Sequence, residues 1–368
     1  MLKSYKFRLF PTKKQCSKLE QTLEACRMTY NGFLAERKTA WEERQENINY
    51  HKQAVSLVAL KKVHPFFNEI HSQVLQNIAL RVDLAYKAFF RRCKSGEKAG
   101  YPRFKGFGNY DSITFPQVQT GGCAIVDGKL KVSKIGHIKI KQHRPLEGIT
   151  KTATITRTST DKWFVCFSCE IEKHKQRRNN KAVGIDVGIS SFAYLSDGTE
   201  ISNPKFIRKE EKELARVQRK LSKQDKGTSE RKRAKLVVAK VHERITNKRK
   251  DFAHKESRKI VDKYGYIFVE DLNVNRMVHN HCLAKSILDV AWTDFFNKLS
   301  YKAGNADKTL VKVNPAYTSQ TCSKCGHRQK MPLSERTFKC PCCHVSLHRD
   351  YNASLNILSL GMQALANA

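Results

Sequence analysis

Apolar and polar residues alternate at the start of the chain. Tyr5, Phe7 and Leu9 interleave with Lys6 and Arg8, which predicts a strand over the first ten residues, ended by Pro11. From Thr12 the spacing becomes helical. Leu19, Leu23, Cys26, Tyr30, Phe33 and Trp41 form one stripe, and Val74, Ile78, Val82, Ala85 and Phe89 another. Residues 12–95 therefore read as a mostly helical segment whose stripes pack into a core, with Ser95-Gly96 stopping the last helix. Period two returns over 110–172. Asp127-Gly128 is a hairpin turn between Ile125-Val126 and Leu130-Val132, and Trp163, Val165, Phe167, Cys169 and Ile171 line one face of a strand. Cys166 and Cys169 share a Cys-x-x-Cys spacing, but residues i and i+3 of a strand point to opposite faces, so they read as packed residues rather than half a metal site. Short strands on either side of a helical insert predict a small barrel whose first strand is the N-terminus.

Lys173 to Lys181 reads as a basic linker and a domain boundary. Beyond it, Lys181 to Asp186 is a strand, and Ser191 to Leu195 another after a turn at Gly188. Leu214, Val217 and Leu221, then Ala234, Val238, Val241, Ile245 and Phe252, predict two long helices joined at Gly227. No internal repeat is apparent.

Charge changes the picture. The 368 residues carry 69 Lys and Arg against 34 Asp and Glu, a net of +35. A soluble domain stays dispersed with a net charge of roughly 2 to 8. An excess this large repels itself, and a held polyanion is the simplest compensation. Ordinary metabolic enzymes and secreted disulfide scaffolds are poor candidates, and an apolar share of 40% excludes wholesale disorder. Residues 205–259 hold 21 Lys and Arg against 8 Asp and Glu, a one-signed excess of +13 that ion pairing within the helices cannot absorb. Gly100-Tyr-Pro-Arg103-Phe-Lys105-Gly106 is a turn whose interleaved basic and aromatic residues suit nucleic acid. No leader-like segment and no stretch of ~18 apolar residues is visible, so the expected location is a reducing cytoplasm.

Two residue sets carry chemistry. Cys322-x2-Cys325-x14-Cys340-x2-Cys343 matches two knuckles of one structural zinc site, closed by four protein sulfurs. Cys342, His344 and His348 are nearby alternatives, and His279, His281 and Cys282 form a lookalike without a partner knuckle. The second set is acidic. Asp186 and Glu270 end apolar strands, and Asp350 follows the second knuckle where a helical pattern begins. Acids at buried strand tips are costly without a cation. Three converging carboxylates would suit Mg2+, and two such ions could activate a water in phosphodiester hydrolysis. Spacing alone does not establish that they converge.

The chain resembles the TnpB family of transposon-encoded RNA-guided endonucleases, related to type V CRISPR effectors. The resemblance rests on Tyr5 to Pro11, Ala88 to Arg91, Gly100 to Lys105, Gly184-Ile-Asp-Val-Gly188 with Ser196-Asp-Gly198, Phe268 to Asn273, Thr318 to Gly326, and His348-Arg-Asp-Tyr-Asn-Ala353. It implies an α/β plus β-barrel, multidomain architecture. Residues 1–10 and 106–172 would form a wedge (OB-like) barrel, 11–105 a helical recognition lobe, 181–316 and 346–368 an RNase H-like RuvC nuclease domain, and 317–345 a zinc-binding insert. Asp186, Glu270 and Asp350 would be the catalytic triad on two Mg2+ ions, Asp186 bridging both, with one structural Zn2+ elsewhere.

The implied partners are a guide RNA from the transposon end and double-stranded target DNA beside a short transposon-adjacent motif, with one protein monomer per RNA and no membrane, and the implied setting is a bacterial or archaeal cytoplasm, at the nucleoid. By the same resemblance Ser72, Gln73 and Gln76 lie near the target-adjacent motif, and the 205–259 helices, with Arg219 and Lys220, line the guide–target heteroduplex. Arg103 and Lys105 are further nucleic-acid candidates. Two positions depart from the family: His344 stands where Gly is usual, and His348 where an acid or small residue is common. A nuclease-inactive RNA-guided repressor is the alternative, which the presence of all three acids weighs against. Composition alone favours a third class, an RNA- or ribosome-binding protein with a zinc ribbon.

Overall fold

The structure, a computed structural model, describes all residues except 119–120, 173–178, 333 and 368, and all side chains of these but 275, 281 and 282. Most of the basic linker sequence and the side chains of His281 and Cys282 thus lie outside the described residues. The chain divides into two compact units, Met1–Glu172 and Lys173–Ala368.

The first unit opens with β1 (Leu2–Phe10), then α1 (Lys13–Arg44), α2 (Tyr50–Val63) and α3 (Ser72–Lys94). Six strands follow: β2 (Ser112–Phe115), β3 (Cys123–Val126), β4 (Lys129–Val132), β5 (Gly136–Lys141), β6 (Ile149–Arg157) and β7 (Trp163–Glu170). All seven join one antiparallel sheet in the order β2-β6-β7-β1-β5-β4-β3. A flat sheet of seven strands would hold its edges about 29 Å apart. Here a Cβ on Gly122, just before β3, would come within 3.0 Å of Phe115 at the end of β2. The sheet therefore curls until its edges nearly meet. Tyr5, Phe7 and Leu9 are buried along β1 as their alternation predicts. Asp127 and Gly128 both take positive φ, 47° and 68°, which matches the twist of a two-residue hairpin turn. Cys169 is buried and Cys166 only half-buried, on opposite faces of β7.

Thr12 caps α1, its Oγ1 accepting from Gln15 N while Gln15 Oε1 accepts from Thr12 N. The α1 stripe departs from expectation at one end. Trp41 is 56% exposed, and the buried line runs from Phe33 through Arg37 to Ala40. Helical spacing carries the core face onto position 37, where Arg37 reaches Asp83 at 3.3 Å and Gln53 at 2.9 Å. A charged residue at a core position hides the stripe from an apolar count.

The second unit begins with β8 (Ala182–Val187), β9 (Ser191–Leu195) and β10 (Glu200–Ser202). Two helices follow, α4 (Phe206–Ser222) and α5 (Ser229–Lys263), linked through Gly227 at φ 94°. Next come β11 (Tyr266–Glu270), α6 (Val274–Met277), α7 (His281–Val290), α8 (Trp292–Asn305) and β12 (Thr309–Val313). The hairpin of β13 (Thr337–Lys339) and β14 (Ser346–His348) precedes α9 (Arg349–Ala366). The five-stranded sheet has the order β10-β9-β8-β11-β12, antiparallel on the β10 side and parallel from β8 through β12.

Two glycines bring α9 onto this sheet. A Cβ on Gly184 of β8 would lie 2.2 Å from Ser354 O, and one on Gly361 of α9 2.1 Å from the Phe268 ring of β11. Such an approach admits no side chain. It sets the first turn of α9 beside the C-terminal tips of β8 and β11, as the site requires.

Candidate active site and thiolate cluster

Parallel β8 and β11 end side by side, with Asp186 next to last in β8 and Glu270 last in β11. Asp350, in the first turn of α9, completes a cavity of about 700 Å³ that all three acids line. Five cations also line it, Lys205, Arg208, Lys285, Arg336 and Arg349, among apolar residues such as Ile189, Leu272 and Trp292 and a fourth acid, Asp289. Glu270 and Asp350 are each 8% exposed. Burial, reinforced by the charges of Glu270 and Asp350, pushes Asp186 well above the usual carboxylate range. Burial also raises Glu270, opposed by Thr318, whose hydroxyl donates to Glu270 Oε1 at 2.6 Å. Arg349 Nε lies 3.5 Å and Arg336 Nη1 3.8 Å from the Asp350 carboxylate. His348 caps α9 through Nδ1, which accepts from Asp350 N at 3.3 Å, and its ring stacks on Tyr194 at 5.0 Å. Buried acids that repel one another beside guanidinium groups suit a divalent cation between carboxylate and phosphate oxygens. The carboxylates are more loosely spaced than the cysteines described next.

Cys322, Cys325, Cys340 and Cys343 bring their sulfurs within 4.8 Å of one another, the only such metal-ligand set among the described residues. Cys322 and Cys343 sulfurs are 3.6 Å apart, and those of Cys325 and Cys340 3.5 Å. Four sulfurs around one zinc at ~2.3 Å would stand roughly 3.8 Å apart, whereas a disulfide needs ~2.05 Å. The set therefore fits a metal and not a disulfide. The backbone N–H groups of Cys343 and Cys342 hold the Cys340 thiol below its ordinary value, while hydrogen bonds shared among the sulfurs hold Cys325 and Cys343 above it. The two knuckles share one turn: Gly326 N donates to Cys322 O at 2.9 Å, and His344 N to Cys340 O at 3.1 Å. Both residues take positive φ, 75° and 59°. His344 thus holds a left-handed conformation that Gly accepts more readily. His344→Gly is expected to stabilise the segment by about 1 kcal/mol, measured by thermal melting. Cys342 is exposed and outside the cluster.

The nucleic-acid candidates are spread over both units. In the first, Gln73 donates to Gln117 at 3.0 Å and Gln76 is exposed. Ser72 accepts from Lys61 at 2.7 Å. The loop after α3 is pinned at Lys105, whose backbone O accepts from Arg27 and Asn31 and whose N donates to Asn31. Exposed Arg103, Phe104 and Phe107 flank that anchor. In the second unit, Arg219 and Lys220 are exposed on α4. Lys220 joins Arg216 and Arg233 along a cleft between α4 and α5. Acids of these helices are drawn into pairs such as Glu210 with Arg244 and Lys248, so the surplus positive charge faces outward.

Sequence reasoning did not single out Thr318, Asn352 or Asn356, nor the five cations of the cavity. The alternation of the Thr318-Ser-Gln-Thr-Cys322 segment gives no hint that one hydroxyl meets a carboxylate 48 residues away.

A family model described as "Probable transposase" (OrfB_IS605) matches residues 166–281, and one for a Cas12f1-like TNB domain matches 292–357. A third, described as a helix-turn-helix domain, matches residues 1–46, where this chain forms one strand and a single 32-residue helix. A protein of Streptomyces pristinaespiralis named "Putative RNA-guided DNA endonuclease" is 34% identical over 99% of this chain and 90% of its own length. The chain belongs to the TnpB family. A relative named likewise, InsQ of Escherichia coli K12, is 31% identical over 99% of the chain and 94% of its own length. The TnpB-family chain also shares its fold with Cas12f1 in a cryo-EM structure of a Cas12f1–sgRNA–target DNA complex. The TM-score there is 0.59 and the identity 19%, over 94% of this chain and 83% of that one. No helix among the described residues is long and apolar enough to cross a membrane.

Proposed function

We propose that this chain is a guide-RNA-dependent DNA endonuclease encoded by an insertion sequence. The observation that carries the reading is the cavity that Asp186, Glu270 and Asp350 share with five Lys and Arg side chains, in a chain 99% covered by relatives named putative RNA-guided DNA endonucleases. Asp186, Glu270 and Asp350 would hold Mg2+, which when bound would supply Lewis acidity for phosphodiester hydrolysis. Lys205, Arg208, Lys285, Arg336 and Arg349 hold the substrate's phosphates near the acids. Thr318 fixes the Glu270 carboxylate. Four cysteines hold a structural Zn2+.

In this reading residues 1–10 and 106–172 are the wedge barrel and 11–105 the recognition lobe. Residues 181–316 and 346–368 are the RuvC nuclease domain, interrupted by the zinc-binding insert at 317–345. The mixed sheet of the second unit, with α9 across it, supports an RNase H-like assignment. The guide comes from the transposon end, and the target is duplex DNA beside a short motif. Gln73, Gln76, Arg103, Lys105, Arg219 and Lys220 are the proposed nucleic-acid contacts.

The deciding experiment isolates the protein from cells carrying its element, sequences the RNA that co-purifies, and offers a plasmid matching the RNA's guide end. Mg2+-dependent cutting of that plasmid alone is expected. Matched binding without cutting would instead indicate the repressor. Backbone charge dominates the affinity, so RNA binding should fall by roughly 10³-fold or more between 50 and 200 mM salt. Filter binding across that range checks this, and a flat profile would remove the role assigned to the +35 charge.

A further inference from the structure

The thiolate cluster and the carboxylate cavity are joined by side chains that neither site needs for its own ligands. Asn352 is fully buried one turn into α9. Its Oδ1 accepts from Ser323 N at 2.9 Å, and its Nδ2 donates to Thr321 O at 2.7 Å. Those two backbone groups flank Cys322, the first sulfur of the cluster. One turn further, Asn356 Nδ2 donates to Thr321 O at 2.7 Å and to Thr318 O at 2.8 Å. Thr318 in turn donates its hydroxyl to Glu270 Oε1. Asparagine in a helix interior is unfavourable unless a partner rewards it. Here two of them, four residues apart on one face, both spend their amides on the first knuckle.

The consequence is a rigid triangle. The first knuckle is tied to the helix that carries Asp350 through Asn352 and Asn356. It is tied to the strand that carries Glu270 through Thr318. Asn356 closes the triangle by holding the backbone of Thr318 itself.

We propose that Thr318 and Asn356 are positioning residues, through which the thiolate knuckle sets the placement of Glu270 relative to Asp350. This rests on the reading of those acids as a divalent-cation site. It makes the metal staple part of the nuclease site rather than only a fold support. Loss of the Thr318 hydroxyl frees the Glu270 carboxylate. Loss of the Asn356 amide frees the Thr318 backbone and reaches the same carboxylate.

The test uses the guide-loaded protein with Fe2+ in place of Mg2+. With peroxide and ascorbate, bound iron cleaves nearby protein backbone, and mass spectrometry reads cuts around residues 186, 270 and 350. Thr318→Val is expected to raise the Fe2+ concentration for half-maximal cutting about tenfold, as befits a hydrogen bond to a charged group. Thr318→Ser should restore the wild-type value. Asn356→Ala should shift it in the same direction, and the double variant no further than the stronger single change. RNA content should match wild type, and melting curves should show every variant folded at the assay temperature. Asp186→Ala separates the two levels of the reading. Unchanged local cutting in Asp186→Ala overturns the cation site, and this inference with it. Cutting lost in Asp186→Ala but wild-type in Thr318→Val overturns the positioning role alone, as does full additivity of Thr318→Val and Asn356→Ala.

Discussion

Asp186→Asn is expected to lower cleavage of a matched target on the order of 10³-fold while leaving guide and target binding intact. The residue stands next to last in β8, where it shares a cavity with Glu270 and Asp350. Asparagine keeps the shape and removes the charge that attracts a cation. The stability effect has the opposite sign. Asp186 holds its proton more tightly in the folded chain than in the unfolded one, because it is buried near two other acids. From the unfolded value of ~3.9 up to the raised folded value, stability falls as pH rises, and above that window the full penalty is present. Asparagine has no proton to lose, so at neutral pH without divalent ions the variant should melt at or above the wild type. Mg2+ should raise the wild-type midpoint and leave the variant's unchanged. Calorimetry with and without Mg2+, beside plasmid cleavage, checks both halves. A variant that cuts normally, or that loses RNA, would overturn the assigned role.

Removing the metal from the cysteines should have the second large effect. The segment between β12 and α9 has little core of its own: Phe338 is the one large, fully buried side chain among its described residues, packed with Cys322 and Cys340. Structural zinc contributes roughly 10–16 kcal/mol of binding in zinc-finger peptides, more than so few apolar contacts provide. Chelation or Cys340→Ser should therefore open residues 318–348 to protease and speed hydrogen exchange there. Cleavage should fall at least about 100-fold, because Thr318 and the first turn of α9 lose their tether. The first unit should keep its protection. Wild-type protection of 318–348 after complete chelation would contradict a structural metal.

Local signals were legible where each element carries its own pattern. Period two placed β1 and β7, Asp127-Gly128 placed a hairpin, and the paired Cys-x-x-Cys spacing located a ligand set that the fold draws within 4.8 Å. The α1 stripe misled at Trp41, because the core position passes to Arg37, whose charge is satisfied only by Asp83 on another helix. The carboxylates were legible as costly strand-end acids. Only the resemblance to TnpB joined the three, since nothing local fixes a spacing across 84 and 80 residues of chain, and the structure places them in one cavity.

The sequence by itself thus determined the elements, the excess of positive charge and the chemical types at the two sites, because each depends on neighbours within a few residues. Only the tertiary structure decided which acids meet, that Lys and Arg face them, and that Thr318 and Asn356 bind the knuckle to the cavity. The physical reason is the packing of α9 at Gly184 and Gly361. That contact depends on what the opposing surface lacks, and no window of sequence contains both sides of it.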